Sequence, residues 1–295
     1  MIYRIILTTV IVQGLLISAL GQTKLQVLTK IVEKSFVASS STSLQVDGQK
    51  SDIRVNTWNR NEVRVVLKLI SKSPSKSVAE KELDYQRYIL EKKKEIIHLK
   101  NYLVIPQGVS KLQSIQVASY EITVPRGCKM TLTNQYGDVE VYNLSGVVNM
   151  NVKYGKIRLE NLNAAIQIHS YFGDLIVRNV DGHLKVNANH TKINLDDIAG
   201  DVKLNSTLGD VYIGTAKDIK SLDIIASKAD ITLENPDYQQ FNFSLKSKFG
   251  DVLVPDQYQQ YFRSHTRDNK SFVYEPLSKG SSISLITSFG NIIAK

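Results

Sequence analysis

A tripeptide that returns at a constant interval is the feature of this chain that most constrains its fold. Each copy is a glycine between an aromatic or apolar residue and a charged residue. The glycines that mark it are Gly137, Gly155, Gly173 and Gly209. Thr191 fills the gap before the last of them, and looser copies follow at Ala229, Gly250 and Gly290. A short period of this kind, filled with alternating β-forming residues, is typical of a coil that stacks on copies of itself.

Apolar residues also recur at fixed positions of this repeat. Strand side chains alternate between two faces, so columns that lie two residues apart point to the same side. The two columns are Val139, Ile157, Leu175, Ile193, Val211 and Val141, Leu159, Val177, Leu195, Ile213. A second apolar group follows in each coil, beginning with Val148, Met150 and Val152. The sequence therefore predicts a mainly β fold, a parallel β-solenoid (β-helix) with two short strands and about 18–20 residues per coil.

The residues that flank the glycines form two more columns. Tyr136, Tyr154 and Phe172 precede them. The charged column that follows alternates in sign and consists of Asp138, Lys156, Asp174, Lys192 and Asp210. Calcium requires oxygen ligands, whereas opposite charges on adjacent strands stabilise each other by up to about 1 kcal/mol. We interpret this column, and a shorter one at Glu160, Arg178 and Asp196, as ion pairs that hold the coils in register.

A polar ladder lies between the two strands of each coil. Its members are Asn143, Asn161, Asn179 and Asp197. Asn and Asp tolerate left-handed backbone angles and suit turns. We interpret the ladder as a row of stacked turns; the alternative is a polar row that binds a ligand.

The first 21 residues predict export. Arg4 is followed by a nearly continuous apolar segment, and Ala19 and Gly21 are small residues suited to cleavage. Residues 1–21 are therefore interpreted as a signal peptide, with an uncleaved N-terminal anchor as the alternative. We expect no membrane span after cleavage and a location in the periplasm or at the cell surface.

Cysteine content and charge restrict the chemistry. Cys128 is the single cysteine, so an internal disulfide is excluded, and we interpret it as a structural thiol. The net charge of +9 suits a surface rich in lysine, or attraction to anionic envelope polymers. The basic residues are scattered, so nucleic acid is not an expected partner.

Residues 22–126 do not follow the repeat and predict a small α+β module that caps the solenoid of residues 127–295. Two alternating segments, 43–55 and 61–70, predict strands, and residues 78–94 predict one amphipathic helix. Further strands are expected at residues 95–105 and 115–124. A cap is needed because the open end of a solenoid exposes strand edges and core side chains.

An aromatic-rich insertion is predicted at residues 255–280. Loops that project from a regular scaffold often carry function, and Tyr and Arg are favoured at binding sites. The candidate ligand-binding residues are Tyr258, Tyr261, Phe262, Arg263 and Arg267. The alternative is a C-terminal cap that buries these rings.

Several segments together resemble a known group of proteins. They are the Y-G-D-V and F-G-D-V coils, the signal peptide, the segment I-R-V-N-T-W-N-R-N-E-V-R-V and the closing S-I-S-L-I-T-S-F-G-N-I-I. The chain resembles an adhesin family of exported bacterial β-solenoid proteins, a domain of unknown function common in Bacteroidetes. The resemblance implies an exported solenoid linked to adhesion or to regulation of envelope stress, and it supplies no catalytic residues.

Three classes of function are compatible with these observations. The first is a non-catalytic envelope or surface protein, adhesin-like, that binds glycan or protein along its repetitive surface. The second is an envelope scaffold or regulatory protein that acts through a protein partner. The third, a polysaccharide lyase or hydrolase, requires clustered carboxylates, but the periodic acids are interleaved with lysines. We expect no catalytic residues, no cofactor and no metal site, since the five histidines lack metal-ligand spacing.

Overall fold

The computed structural model describes residues 24–216, 218–276 and 280–295, and these are mainly β-strand. The predicted signal peptide at residues 1–21 lies outside the described residues. Within the described ranges, no helix is long and apolar enough to cross a bilayer.

The strands up to the first regular coils are β1 (Gln26–Val37), β2 (Ser43–Gln49), β3 (Ser51–Trp58), β4 (Glu62–Ser73), β5 (Gln86–Lys93), β6 (Ile96–Leu103), β7 (Ile115–Pro125), β8 (Lys129–Gln135), β9 (Val139–Tyr142) and β10 (Val148–Lys153). The remaining strands are β11 (Ile157–Ile198), β12 (Gly200–Thr207), β13 (Val211–Ile213), β14 (Ile219–Ser227), β15 (Ile231–Leu233), β16 (Phe241–Lys248), β17 (Val252–Leu253), β18 (Phe262–His265), β19 (Asn269–Tyr274), β20 (Ser281–Ser288) and β21 (Ile292–Ala294). One α-helix, α1 (Lys76–Leu83), and one 3-10 helix (Asp256–Tyr261) are described beside them.

The central strands stack in parallel with the same offset along the chain at every step. On the first face, β10 pairs with β8 and β11, so Val148 lies opposite Met130 and Ile166. On the second face, β11 pairs with β9 and β13, so Ile157 lies opposite Val139. The paired residues are 18 positions apart along the chain, and we call one such period a coil; β11, with 42 residues, runs continuously through more than two of them. The apolar columns predicted from the sequence share this register, and their side chains are buried between the two faces.

The first coil in the sequence is not the first coil of the stack. β2 pairs in parallel with both β6 and β8, and β3 pairs in parallel with both β7 and β9. The coil of β2 and β3 therefore lies between the coil of β6 and β7 and the coil of β8 and β9. Of these strands, β2, β3, β6 and β7 belong to residues 22–126, which the sequence predicts as a cap, yet they continue the parallel stack.

The last coil in the sequence is likewise placed inside the stack. β20 pairs in parallel with β14 and β16, and β21 pairs in parallel with β15 and β17. The coil of β20 and β21 therefore separates two coils that precede it in the sequence. The predicted insertion therefore falls, in the sequence, between the coil of β16 and β17 and the coil of β20 and β21, whereas an insertion within a single coil was expected.

Antiparallel strands cover both ends of the stack. At the N-terminal end, β5 pairs with β6, β4 pairs with β7, and β1 pairs with β4. At the C-terminal end, β19 pairs with β16, and β18 pairs with β19. These antiparallel strands cover the coils at the two ends of the stack, and β1 is the outer strand at the N-terminal end.

The predicted helix of residues 78–94 is shorter than expected. α1 spans Lys76–Leu83, and Ser75 caps its N-terminus by accepting a hydrogen bond from the Val78 N–H at 3.5 Å. The second half of the predicted helix is strand β5, which forms a hairpin with β6 through Lys94 in the left-handed region (φ 54°). Pairing with β6 outweighs helix propensity here, because tertiary context overrides it.

A close backbone approach sets the distance between coils. A Cβ added to Gly155 would lie 2.0 Å from the carbonyl oxygen of Gly137, and one added to Gly209 would lie 2.0 Å from that of Thr191. Real Cβ atoms do not approach a carbonyl oxygen so closely, so these positions favour glycine. Thr191 is itself accommodated with a buried side chain that bonds Ser170 at 3.0 Å.

Gly155→Ala is expected to lower the free energy of unfolding by about 1–3 kcal/mol, because the added methyl group must push two coils apart. Gly127→Ala is the matched control, since a Cβ there meets nothing within 4 Å. Urea unfolding of both variants tests the prediction, and equal stabilities would contradict it.

Glu82 ties the helix to the loop that precedes β7. Its carboxylate is buried and accepts hydrogen bonds from the backbone N–H groups of Gln113 at 2.9 Å and Ser114 at 2.8 Å. Burial by itself raises the pKa of the Glu82 carboxyl, but the hydrogen bonds from Gln113 and Ser114 outweigh it and lower this pKa below its ordinary value.

Glu82→Gln is expected to cost about 1 kcal/mol of stability at neutral pH and to cost less in acid. A carboxyl whose pKa is lowered by folding stabilises the fold above its unfolded pKa of about 4.3, and this contribution is lost as the pH falls through the folded pKa. Thermal unfolding between neutral pH and pH about 3 measures the difference. Glu80→Gln, an exposed change on the same helix, should show little of this dependence.

Candidate functional site

Four stacked rings form one edge of the stack, which we call the aromatic edge: Tyr136, Tyr154, Phe172 and His190. Successive ring centroids lie 4.9, 5.3 and 4.4 Å apart, with interplanar angles of 8°, 7° and 28°. All four side chains are exposed. Because each ring face lies against the next, the edge presents ring rims and two tyrosine hydroxyls to solvent, and it offers no free ring face within the row.

All four residues of the aromatic edge adopt left-handed backbone angles, with φ between 51° and 64°. Such angles are costly for large side chains. The turn at the opposite edge needs the same angles and meets them with residues that tolerate them. These are the predicted ladder residues Asn143, Asn161, Asn179 and Asp197, with φ between 48° and 61°. Stacking between rings offsets part of the cost at the aromatic edge.

Side-chain amides connect the coils at the asparagine edge. Asn161 Nδ2 donates to Asn143 Oδ1 at 3.2 Å, and Asn179 Nδ2 donates to Asn161 Oδ1 at 2.7 Å. These amides are therefore engaged with each other along the stack, and the geometry fits a row of turns.

The charged column beside the aromatic edge does not form the ion pairs that its alternation predicts. In the described part of the chain, no ion pair joins two members of this column. Asp138 Oδ1 instead accepts from the backbone N–H of Lys156 at 2.8 Å, and Asp210 Oδ1 accepts from that of Asp230 at 3.0 Å. A short carboxylate reaches the next coil's N–H, and this contact replaces the expected pairing.

The shorter charged column also departs from the prediction. Glu160 pairs with Arg158 on its own strand at 3.0 Å, and Asp196 accepts from the backbone N–H of Thr215 at 3.1 Å. Arg178 makes no ion pair with any described residue. Its guanidinium is exposed on the second face.

A buried polar column inside the aromatic edge has no counterpart among the sequence-based predictions. Asn134 Nδ2 donates to the carbonyl of Gly137 at 2.9 Å, Ser206 Oγ to that of Gly209 at 3.1 Å, and Ser247 Oγ to that of Gly290 at 2.7 Å. These bonds satisfy turn carbonyls that would otherwise be buried without partners. The available signal was a small polar residue two positions before the bulky left-handed residue.

Cys128 is buried, and burial raises the pKa of its thiol to about 11. A thiol with this pKa stays protonated at neutral pH, so the arrangement suits packing and does not suit a nucleophile.

The predicted aromatic insertion packs mostly onto the C-terminal end of the stack. Tyr258 stacks on buried Tyr238 with centroids 4.1 Å apart, and Phe262 packs against buried Phe272 at 5.5 Å. Tyr261 remains 39% exposed, with its ring 4.6 Å from that of Tyr274. The rings of Tyr258 and Phe262 therefore pack against buried aromatic residues, and Tyr261 keeps an accessible surface.

The two arginines of the predicted site, Arg263 and Arg267, are exposed on the hairpin of β18 and β19. The turn of this hairpin is fastened by Lys270, whose Nζ donates to the carbonyl of Thr266 at 2.7 Å and pairs with Asp251 at 3.4 Å. The structure thus places both guanidinium groups at the surface of the C-terminal cap.

A cleft of about 720 Å³ opens on the second face, where the segment before β16 passes over the stacked strands. The side chains that give it polar character are Arg178, Asn194, Asp196, Tyr212, Glu234 and Gln240. Its volume falls in the range of about 300–1,000 Å³ that is usual for ligand sites. The sequence pattern does not mark a site here, because the cleft combines positions from four different coils with a non-repeating segment.

Acidic groups dominate the charge of the cleft. Asp196, Asp218, Glu234 and Asp237 lie in its wall together with Arg178. Tyr212 donates a hydrogen bond from its hydroxyl to Glu234, and this bond raises the pKa of Tyr212. The cleft therefore carries several acceptors and few cations, although the whole chain is basic.

Comparison with known proteins matches one family model and several solved structures, two of which are described below. A family model described as Toastrack DUF4097 matches residues 41–293. Among solved structures, the chain is similar to a candidate cell adhesion protein from Clostridium sporogenes, with 15% identity over 92% of this chain and 100% of that chain and a TM-score of 0.23. It is also similar to a candidate adhesin from Parabacteroides merdae, with 10% identity over 90% of this chain and 96% of that chain and a TM-score of 0.30. A search of curated proteins finds no match.

Asp230 follows Ala229, so it holds in that coil the position of the charged column, and its Oδ1 accepts from the backbone N–H of Asn291 at 2.6 Å. Substitution of Asp230 therefore tests the role of these carboxylates. Asp230→Asn should retain stability, since Asn291 itself accepts from Asp251 N–H in the same way. Asp230→Ala should lower the free energy of unfolding by about 1 kcal/mol through loss of the acceptor. Equal loss in both variants, measured by urea unfolding, would show that charge matters more than the acceptor.

Proposed function

The chain belongs to the Toastrack DUF4097 family, and from this premise we propose that it is a non-catalytic, exported envelope or surface protein that binds ligands in an adhesin-like manner. We further propose that its parallel coils form a β-solenoid, with two strands per coil, that serves as a rigid support for the binding surface. The constant register of the central strands supports this proposal.

The observation that carries the binding proposal is the open polar cleft on the second face. Asn194 on β11 and Tyr212 on β13 are partners in parallel pairing, so their spacing is set by the strand register, and Arg178 on β11 lines the same cleft. Binding groups on a regular scaffold are held in place before a ligand arrives, which reduces the entropy lost on binding.

An uncharged glycan is the ligand class that fits this wall best. Carboxylates accept hydrogen bonds from hydroxyl groups, amides both donate and accept, and a guanidinium donates in a planar fork. Sugar hydroxyls can satisfy all three. The excess of carboxylates in the cleft disfavours polyanions, because a like charge near a fixed carboxylate is repelled.

Export is part of the proposal and depends on the apolar N-terminal segment, residues 1–21, which lie outside the described residues. An exported chain would meet envelope glycans either in the periplasm or at the cell surface. The stack would then present its cleft to polymers that surround it.

The second candidate is an envelope scaffold or regulatory protein that acts through a protein partner. It is favoured by β1, which pairs with β4 on one side and has exposed apolar side chains at Val27, Ile31 and Val37. A long exposed edge strand offers backbone groups to which another chain can add a strand.

Binding of the purified protein to arrays of neutral glycans and to peptidoglycan tests the proposal. Arg178→Ala should weaken glycan binding by about tenfold or more, since a hydrogen bond to a charged group is worth about 1.5–3 kcal/mol. Arg263→Ala removes an equally exposed guanidinium from the C-terminal cap and should leave binding unchanged.

Two outcomes would redirect the assignment. Loss of binding in Arg263→Ala, or in a variant with Tyr258, Tyr261 and Phe262 replaced by Ala and its fold checked by circular dichroism, would place the site in the predicted insertion. Binding of the wild-type protein to none of the glycans would contradict the glycan proposal and favour the protein partner.

A further inference from the structure

The aromatic edge carries a second pattern over the same four coils. Each of its rings is followed, two residues later, by one member of the charged column. From the first coil to the fourth, these are Asp138, Lys156, Asp174 and Lys192, so the signs run minus, plus, minus, plus. Rings and charges lie on the same turns and form two parallel rows along the stack.

Charged groups of this row remain without an ion-pair partner among the described residues. The Nζ groups of Lys156 and Lys192 make no hydrogen bond or ion pair with the described residues. Asp138 uses Oδ1 for the Lys156 N–H, and its Oδ2 bonds to no described residue. The four exposed rings lie beside this row, and Tyr136 is 47%, Tyr154 43% and Phe172 36% accessible. The edge is thus an apolar strip beside unpaired charges.

The sign pattern is complementary to itself under a two-fold rotation. Two copies can face each other across this edge with their stacks antiparallel, with the rotation axis in the plane of contact and midway between the second and third coils. Asp138 then faces Lys192 of the other copy, and Lys156 faces its Asp174. Each of these two contacts occurs twice because of the two-fold symmetry, so four pairs of opposite charge form. The two rows of rings also face each other.

We propose that the aromatic edge is an isologous interface with a second copy of this chain, centred between Tyr154 and Phe172. The rings supply a continuous apolar strip, and aromatic residues are enriched at protein interfaces. The alternating charges fix the register, because complementary charges favour one alignment and like charges disfavour others. Asp52 holds the equivalent position in the coil of β2 and β3, because its Oδ1 accepts from the Asp138 N–H at 3.1 Å. In the next coils outward, Asp52 would face Asp210 of the other copy, so favourable contact ends with the four coils.

The position of the rotation axis along the stack decides which charges face each other, and moving it by half a coil brings like charges together. Centring the axis on a coil would place Lys156 opposite Lys156, or Asp174 opposite Asp174, and is disfavoured. Centring it between the third and fourth coils would again pair opposite charges, with Lys156 facing Asp210, but Leu208 would replace one ring of the strip. The full set of four rings favours the first arrangement.

The experiment is sedimentation or light scattering of the purified protein over a dilution series at low salt. The wild-type protein should reach twice the monomer mass, and the association should weaken as salt is added. Lys156→Glu alone and Asp174→Lys alone should each weaken self-association by about tenfold or more, because each substitution occurs twice in the interface. An equimolar mixture of the two variants should restore the dimer, since each introduced charge then faces its opposite.

Lys203→Glu, an exposed charge reversal on the first face, is the matched control and should leave association unchanged. Circular dichroism confirms that each variant is folded. A monomeric wild-type protein throughout the series, or a mixture that fails to restore the dimer, would overturn the proposal. Restoration of Lys156→Glu by Asp210→Lys, and not by Asp174→Lys, would overturn the stated register.

Discussion

The close approach of each edge glycine to the carbonyl of the preceding coil is the constraint on which the rest of the structure depends. With 2.0 Å between a virtual Cβ at Gly155 and the oxygen of Gly137, the coils cannot accept a side chain there without separating. The same approach occurs at Gly137, Gly173, Gly209, Gly250 and Gly290, whereas Thr191 and Ala229 occupy the equivalent position with buried side chains. Strand pairing, burial of the apolar columns and alignment of both edges follow from turns that occur at the same place in every coil.

The turns at the two edges of the stack need the same left-handed backbone angles but use different types of side chain. Both turns need a left-handed residue, but one edge uses Asn and Asp and the other uses Tyr, Phe and His. At the asparagine edge, the amides bond along the stack, so their polar groups are satisfied by each other. At the aromatic edge, the stacked rings leave an apolar strip in solvent. The repeat therefore has two edges of the same backbone shape and opposite surface character.

The features that repeat along the chain were predicted from the sequence, whereas the features without a repeat were not. The columns that begin at Val139 and Val141 share one register because periodic spacing reports contacts between successive coils. Coils placed out of order have no such signal, since β2 lies beside β8 although five strands separate the two along the chain. Residues 86–93 were predicted as helix because pairing with β6 is not visible in a local pattern. The cleft beside Arg178 was not predicted, because its lining residues come from several coils. The predicted ion pairs do not form, because the aspartate carboxylates accept from backbone N–H groups of the next coil.

The placement of the first and last coils inside the stack has a consequence for how such a molecule can change length. A solenoid whose ends are its outermost coils can gain or lose repeats at either terminus. Here each terminal coil is clamped between two others. An added coil at either terminus would have no free stacking partner, whereas one further repeat inserted between β10 and β12 would meet matching neighbours on both sides. This architecture can therefore lengthen by duplication of an internal repeat, and the strands that cover its two ends would stay unchanged.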